Sequence, residues 1–523
     1  MKSPEDDVRC PCPNFQNLRI LFSRLLKRGK SDEENSGTSQ NGKTNSEPRE
    51  DAHRVVHKNT LQSVNDGEVV YKALWSFRGR AEDELSFESG DLFKVLQRSG
   101  EWWQVKKLNP GGLSETVGFV PSNFLARRQT VDEQPWYFAV LNRLESHNLL
   151  LTPGNSVGAF LLRHSGKVQT CCVLSVRVSD TEVKHFKVYE GEDGFYVKEN
   201  CTFREIEELL EHYKSHSLNS RICLTEPCTR PEPKPQDLSH STVDDWELPK
   251  EQFVLEELLG SGFFADVYRG TWKGIVRVAI KILRNNDSLD QREFQLETQI
   301  LKKLRHRHLI CLFAICSNSI PYYIITELME KGNLLSFLRS QEGQSLDPQA
   351  LTDMVSQVAD GMAYLEEHNS IHRDLAARNV LVGEDYICKV ADFGLARVIK
   401  EPFYLSEDKM IPYKWSAPEA ISHGRFSNKS DVWSYGVLLY EVFSYGGCPY
   451  PKVFSSGCIL SGYVNHEIYN LISSGYRMPA PDKCPPHIYK IMLKCWSGPA
   501  AERPDFKELL AWLEDASSYW TTT

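Results

Sequence analysis

The chain has 523 residues, of which 41% are hydrophobic and 25% charged, and its formal net charge is −9. This length predicts about three to four domains, the composition is ordinary for globular proteins, and the negative charge argues against general nucleic-acid binding. The sequence shows no apolar run of membrane-spanning length and no secretory leader, and its 14 cysteines, at no paired metal-binding spacing, are expected to be free thiols.

Residues 1–68 are predicted to form a disordered N-terminal segment, since residues 31–66 are rich in Ser, Asn, Glu and Gly. Residues 14–28 differ, because they combine apolar side chains at helical spacing with arginines and lysines. A basic amphipathic helix of this kind can lie on an anionic membrane surface, helped by acylation of Cys10 or Cys12. Two alternatives fit the same pattern equally well: residues 14–28 could dock on the rest of the protein, or they could be disordered.

Residues 69–128 contain short apolar runs separated by acidic and glycine-containing turns, which predicts a small all-β barrel. These runs resemble an SH3 domain, and the resemblance implies an aromatic groove that binds proline-rich motifs. The same aromatic residues are also compatible with barrel core. A barrel this small cannot bury all of them, so we expect Trp103 in the core and some of the others exposed. The positions that match the groove are Trp75, Phe77, Glu84, Trp102, Phe119, Pro121 and Phe124.

Residues 136–228 begin with three aromatic residues and contain the apolar run 158–162, followed directly by Arg163. An arginine in an apolar strand is costly unless an anion pairs with it, and a phosphate held by two hydrogen bonds is such an anion. The region resembles an SH2 domain, an α+β fold that binds phosphotyrosine peptides; an internal salt bridge of Arg163 is the alternative. The matching phosphotyrosine contacts are Arg143, Arg163, Ser165, His185 and Lys187.

The most specific signal lies farther along the chain, at Asp374, Asn379 and Asp392. These residues stand in the motifs HRDLAARN and ADFG, which supply a carboxylate that can accept a hydroxyl proton, an amide and a second carboxylate. Such a set can hold metal-bound ATP beside an alcohol acceptor. The order and spacing of the two motifs therefore predict a kinase.

The rest of a nucleotide site is present upstream of these motifs. Residues 259–268 form a glycine-rich turn, which lets the backbone approach phosphate oxygens without an intervening side chain. Lys281 follows on a strand-like run, where its ammonium can reach the phosphates. Glu297 lies in a helical pattern and is placed to pair with Lys281, although Glu293, one turn earlier, competes for this role.

Residues 250–516 resemble the catalytic domain of protein-tyrosine kinases, a two-lobed fold with a β-rich N-lobe and an α-rich C-lobe. The sequence LAARN at 375–379 resembles the catalytic loop of cytoplasmic tyrosine kinases, and IPYKWSAPE at 411–419 resembles their substrate platform. With its two upstream modules, the chain is identified as a member of the non-receptor, Src-related tyrosine kinases. It is most similar to their non-myristoylated group, a likeness carried by residues 322–329, 411–415 and 244–247. No glycine follows the first methionine to receive myristate.

The resemblance implies ATP and Mg²⁺ (or Mn²⁺) as cofactors and gives roles by position. Asp374 is expected to act as base and Arg378 to stabilise transferred charge. The catalytic positions are Asp374, Arg378, Lys281 and Glu297, and the metal ligands are Asn379 and Asp392. The nucleotide-binding positions are Leu259, Gly260, Ser261, Gly262, Phe263, Phe264, Ala265, Val267, Ala279, Lys281, Thr326, Glu327 and Met329.

The resemblance also implies regulatory phosphorylation at Tyr404 and Tyr519. A phosphate on Tyr404 is suited to pair with Arg373 and order the activation loop. Residues 229–249 form a predicted proline-rich linker, which in related kinases docks on the chain's own SH3 groove, while Trp246 packs at the start of the catalytic domain. Phosphorylated Tyr519 would complete this clamp, but an ordinary exposed tail tyrosine fits equally well.

Two departures from the family pattern stand out. Ala265 replaces a glycine, which is expected to reduce turnover without abolishing it, and residues 452–464 are an insertion near the expected peptide-binding face. A short tail, residues 517–523, follows the kinase region.

We predict an enzyme that transfers the ATP γ-phosphate to tyrosines of intracellular signalling proteins. Its predicted location is cytoplasmic, with nuclear or peripheral plasma-membrane placement as alternatives. The competing hypothesis is a catalytically weak adaptor that bridges proline-rich and phosphotyrosine ligands.

Overall fold

The described part of the chain begins after the N-terminal segment. The computed structural model describes residues 69–108, 116–139, 141–164, 172–191, 193–198, 200–218, 222–235, 237–242, 246–261, 265–284, 288–384, 386–398, 404–405, 412–453, 459–462 and 465–516. The predictions that lie outside these residues concern 1–68, Ser165, Gly262, Phe263, Phe264 and Tyr519.

The first unit is an antiparallel sheet with strand order β4-β3-β2-β1-β5. Its strands are β1 Val70–Ala73, β2 Leu92–Ser99, β3 Trp102–Leu108, β4 Val117–Pro121 and β5 Leu125–Arg127. Successive residues of a strand face opposite sides of the sheet, so one side forms a core that includes the fully buried Phe93 and Val105.

The prediction that Trp103 is the core tryptophan is wrong. Trp103 is only half-buried and packs edge-on against Tyr71, with 5.2 Å between ring centroids. Trp102, on the opposite face of β3, is 1% exposed and belongs to the hydrophobic core. The outcome depends on the linker, because the ring of His240 lies 6.1 Å from that of Trp102 and helps to cover it.

The second unit is an antiparallel sheet with two helices, and its strand order is β10-β9-β8-β7-β6. The bounds are α1 Arg143–Leu151, β6 Phe160–His164, β7 Cys172–Arg177, β8 Val183–Gly191, β9 Gly194–Lys198, β10 Cys201–Phe203 and α2 Ile206–Ser215. Helix α1 begins with a capping box: Asn142 Oδ1 accepts from Glu145 N at 2.8 Å, and Glu145 Oε2 accepts from Asn142 N at 2.7 Å. This box fixes the start of α1 and the direction of its first side chains.

The third unit opens with an antiparallel sheet of order β11-β12-β13-β15-β14. The bounds are β11 Phe253–Ser261, β12 Ala265–Trp272, β13 Val276–Leu283, α3 Ser288–Leu301, β14 Leu312–Cys316 and β15 Tyr323–Glu327. In this register Lys281 lies opposite Val267, and Ala279 lies opposite Thr326. Pairing between strands therefore brings together residues that the sequence analysis assigned to one nucleotide site.

A larger helical part completes the third unit. The helices are α4 Leu334–Arg339, α5 Gln341–Gln344, α6 Pro348–Glu367, α7 Pro418–His423, α8 Asn428–Phe443, α9 Asn465–Ser473, α10 Pro486–Cys495 and α11 Phe506–Ala516. The short strands are β16 Ser370–Ile371, β17 Val380–Val382, β18 Cys388–Val390, β19 Arg397–Val398, β20 Tyr404–Leu405, β21 Arg425–Phe426, β22 Pro451–Val453 and β23 Ile459–Gly462. Within the described ranges, the helices are too short or too polar to cross a membrane.

Candidate active site and its regulatory contacts

An ion pair between half-buried Lys281 and buried Glu297 joins the N-lobe sheet to helix α3. Lys281 Nζ lies 2.8 Å from both carboxylate oxygens of Glu297, and Asp392 Oδ1 lies 3.7 Å from the same nitrogen. Burial alone would lower the pKa of Lys281, but the two carboxylates more than offset this effect, so the net pKa is raised. The ammonium therefore stays charged and fixed at the mouth of the cleft.

Asp374 is held in place by two neighbours on its own loop. Arg378 donates a hydrogen bond to Asp374 Oδ1, and Asn379 Nδ2 donates to Oδ2 at 2.8 Å. Burial raises the pKa of Asp374, while the charge of Arg378 opposes the rise. The structure thus brings together three of the predicted site residues around one oriented carboxylate.

The loop that carries Asp374 is anchored by Asp431 of helix α8, which the sequence analysis did not identify. The Asp431 carboxylate accepts from the backbone N–H groups of His372 at 2.7 Å and Arg373 at 2.9 Å. Because Asp431 is 1% exposed, it needs such partners to be tolerated.

Glu441, also on helix α8, supports the other side of the loop. Its Oε2 accepts from Ala377 N and from Trp415 Nε1, both at 2.9 Å. The guanidinium of Arg378 lies 4.4 Å from the centre of the Trp415 ring, a distance at which cation–π attraction operates. Arg378 is thereby positioned by an aromatic face as well as by Asp374.

Asp392 adopts a left-handed backbone conformation with φ of 62°. Its side chain is 54% exposed and faces Lys281, whose charge lowers the pKa of the Asp392 carboxyl. The carboxylate is therefore ionised and accessible from the cleft, as a metal ligand must be.

The predicted nucleotide positions border this cleft from two directions. Leu259, Gly260 and Ser261 form the exposed end of β11, and buried Ala265 begins β12. Arg284 donates to Ser261 Oγ and to Asp266, which ties the two strands together. On β15, the Glu327 side chain accepts from Lys389 Nζ at 2.8 Å, and Met329 beyond it is buried.

Arg373 and Tyr404 lie close together, although they come from different segments. The Arg373 guanidinium is 5.0 Å from the centre of the Tyr404 ring and 5.2 Å from that of Phe426. Strand β20, which carries Tyr404, pairs with β21 at Phe426. A phosphate attached to Tyr404 would therefore start from a position beside a cation.

The linker occupies the predicted SH3 groove. The His240 ring stacks on Phe119 with 3.4 Å between centroids, and its Nδ1 lies 2.7 Å from Asp83 Oδ2. Glu84 Oε1 accepts from Ser239 Oγ at 2.5 Å and from His240 N at 2.7 Å. The expectation that some of the groove positions are exposed is wrong: Trp75 and Phe119 are half-buried, and Phe77, Trp102, Pro121 and Phe124 are buried.

The predicted phosphotyrosine contacts converge on strands β6 and β8 and helix α1. Arg163 is 5% exposed, and His185 is fully buried with its Nδ1 2.8 Å from Ser175 Oγ. Burial, reinforced by the charges of Arg163 and Arg143, lowers the pKa of His185 well below its ordinary value, so the ring is neutral. Lys187 is half-buried on β8.

Comparison with known proteins gives three family matches in the order of the three units. The families are SH3 domain over residues 72–122, SH2 domain over 136–213, and protein tyrosine and serine/threonine kinase over 253–513. Protein-tyrosine kinase 6 from Mus musculus is 46% identical over 450 residues, which cover 86% of this chain and 96% of that protein. Protein-tyrosine kinase 6 from Homo sapiens is 47% identical over 455 residues, which cover 87% and 97%.

Proposed function

The chain belongs to the non-receptor protein-tyrosine kinases with SH3, SH2 and kinase domains, and we propose that it transfers the ATP γ-phosphate through Asp374, Lys281 and the ligand pair Asn379 and Asp392. Membership of this family implies ATP and a divalent cation; Mg²⁺ is the cation we propose. The observation that carries the residue assignment is the Asp374 carboxylate, oriented by Arg378 and Asn379.

The donor atoms of the cleft fit magnesium. Asn379 gives its amide hydrogens to Asp374, which leaves its carbonyl oxygen as the ligand atom, and Asp392 offers an accessible, ionised carboxylate. Two oxygen donors suffice, because Mg²⁺ retains water and takes phosphate oxygens as further ligands. When bound, the ion neutralises negative charge on those oxygens.

The residues of the chain then act mainly by positioning and by charge. Lys281, kept charged by Glu297, binds phosphate oxygens, and Asp374 accepts or orients the proton of the tyrosine hydroxyl. Arg378 places a positive charge beside the transferred group. Because each of these side chains is already held by a neighbour, little reorganisation is needed during transfer.

Replacement of the two central residues tests this assignment. Asp374→Asn should lower phosphate transfer to a generic tyrosine peptide by about 100-fold or more, in the range that a positioned base contributes. Lys281→Met should lower it by about 100-fold or more as well, because a fixed charge that stabilises the transferred group is lost. Glu367→Gln, an exposed carboxylate-to-amide change on helix α6, is the control and should retain activity. Activity that persists in either central variant would refute the roles assigned to Asp374 and Lys281.

We propose that the linker and the SH3 domain restrain the kinase. Support comes from the stack of His240 on Phe119 and from the second contact of the linker, in which Asp237 lies 2.9 Å from Arg305 of the N-lobe. Phosphorylation of Tyr404 beside Arg373 is proposed to order the activation loop.

The Lys281–Glu297 ion pair and the oriented carboxylate of Asp374, together with family membership, favour the kinase over the adaptor hypothesis.

We also propose a cytoplasmic enzyme with peripheral contact to anionic membranes through residues 14–28. The support is the basic and apolar pattern of that segment. Replacing Arg19, Arg24, Lys27 and Arg28 by glutamate should remove co-sedimentation of the full chain with phosphatidylserine vesicles; unchanged co-sedimentation would refute the membrane contact.

A further inference from the structure

Helix α1 of the SH2 unit contacts the kinase unit through three consecutive residues. Arg143 Nη1 lies 3.4 Å from Asp353 Oδ2 on helix α6. Glu145 accepts two hydrogen bonds from Arg307, at 2.6 and 2.9 Å. Leu144, between them in sequence, is 5% exposed and belongs to the hydrophobic core of the kinase unit. The SH2 unit is thus docked on the kinase by one apolar and two ionic contacts.

Asp353 is an unusual residue for its place in the fold. Its carboxylate is 7% exposed and accepts a hydrogen bond from Gln349 at 3.2 Å. Burial raises the pKa of Asp353 to about 6, against the opposing charges of Arg143 and Arg163. A buried carboxylate is tolerated only where cations and hydrogen-bond donors face it. Arg143, the cation in contact with Asp353, and Arg163, whose charge acts on the same carboxyl, are two arginines that match the phosphotyrosine contacts of an SH2 domain.

We propose that Asp353 takes the place of a phosphotyrosine phosphate in the chain's own SH2 pocket, so that docking of helix α6 and binding of an external phosphotyrosine peptide exclude each other. The inference rests on the SH2 roles proposed for Arg143 and Arg163. It deepens those roles, because it names both the internal occupant of the pocket and the class of ligand that displaces it.

The contacts of the pocket explain why a phosphopeptide displaces Asp353. The separation of 3.4 Å between Arg143 and Asp353 exceeds the roughly 2.7–2.9 Å of a strong charge-assisted hydrogen bond. Arg143 Nε is buried without a hydrogen-bond partner among the described residues. A phosphate has more acceptor oxygens and nearly twice the charge of a carboxylate, so it can use donors that Asp353 leaves unused.

Charge reversal at Asp353 tests the exclusion directly. Asp353→Lys places a cation beside Arg143, so helix α6 no longer supplies an anion to the SH2 pocket. The full chain should then bind a fluorescent phosphotyrosine peptide about tenfold more tightly, since removal of a competing closed state raises apparent affinity. Glu367→Lys makes the same charge change at the exposed end of α6 and should leave the affinity within about twofold of wild type.

A second measurement uses only the unmodified chain and therefore does not depend on folding of the variant. Saturating phosphotyrosine peptide should accelerate hydrogen exchange of amides in 348–358, and the unphosphorylated peptide should not. Equal peptide affinity of the Asp353→Lys and wild-type chains, or unchanged exchange at 348–358, would overturn the proposal. Neither readout uses phosphate transfer, so failure of this proposal can be distinguished from failure of the proposed kinase mechanism. Arg163→Leu, expected to abolish peptide binding, separately tests the SH2 assignment.

Discussion

Burial and a neighbouring charge shift the pKa of the Asp374 carboxyl in opposite directions. Burial raises the pKa of this carboxyl above its ordinary 3.8, and Arg378 limits the rise. A base works only when ionised, so activity is present above the pKa of the folded enzyme and is lost as the pH falls through it. The acid limb of the kcat/KM profile should therefore have its midpoint above 3.8.

The same profile measured on Arg378→Gln provides the matched test. Removing the guanidinium charge removes an influence that lowers the pKa of Asp374, so the acid limb should move to higher pH. The measurement is initial-rate transfer to a tyrosine peptide at low peptide concentration and saturating ATP. A limb that stays in place or moves to lower pH would contradict the assignment of Asp374 as the titrating base.

Residues could be predicted from the sequence where their role in catalysis or binding permits only one or two amino-acid types. Lys281, Asp374, Asn379 and Asp392 stand in motifs with fixed spacing, so local sequence was enough to select them as candidates. For Glu297 the sequence left Glu293 as an alternative, and the ion pair with Lys281 identifies Glu297. Asp431 and Asp353 could not be found in this way. Their partners come from distant segments, and the need for a buried carboxylate becomes visible only when helix packing is known.

At the scale of the elements, the glycine-rich turn carries the clearest departure. Ala265 begins β12 opposite Leu283 and is 8% exposed. Ala265→Gly should lower the free energy of unfolding by about 0.5–1 kcal/mol, because glycine loses more backbone freedom on folding. The methyl group is also expected to restrict the glycine-rich loop, so kcat of Ala265→Gly should exceed that of the wild type by about twofold or more. Unfolding in urea and kcat with varied ATP measure the two effects; an unchanged kcat would show that the methyl group does not limit transfer.

Strand alternation was predictable, but the burial of each face was not. The pattern of β3 puts Trp102 and Trp103 on opposite sides of the sheet. Which of them is buried depends on His240, which lies far away in sequence and covers Trp102. The insertion at 452–464 was not predicted to contain strands, yet part of it forms the strand pair β22–β23.

At the scale of the whole molecule, the linker contact predicts a measurable restraint. His240→Ala removes the stack on Phe119 and the contact with Asp83, so the SH3 domain should release the linker. Basal kinase activity of the full chain should rise by about fivefold, and a proline-rich peptide that activates the wild type should have little further effect.

The control for this prediction is His487→Ala, which removes an exposed histidine of helix α10. It should leave basal activity and its response to the proline-rich peptide unchanged. Equal basal activity in His240→Ala and wild type would show that the linker contact does not restrain the kinase.

The order of the three units was predictable because each has its own local signature, and docking of the linker followed from the family resemblance. The contacts that join the units were not. His240 stacks on Phe119, and Glu145 serves both in the capping box of α1 and as the partner of Arg307. Such double roles arise only when two folded surfaces meet.

The Lys281–Glu297 pair is formed in the same structure in which the linker fills the SH3 groove. Restraint by the flanking modules therefore does not require helix α3 to swing out and dismantle the nucleotide cleft. An inhibitor that competes with ATP should bind restrained and released enzyme with similar potency, and drug selectivity between the two forms would have to be sought at the module surfaces.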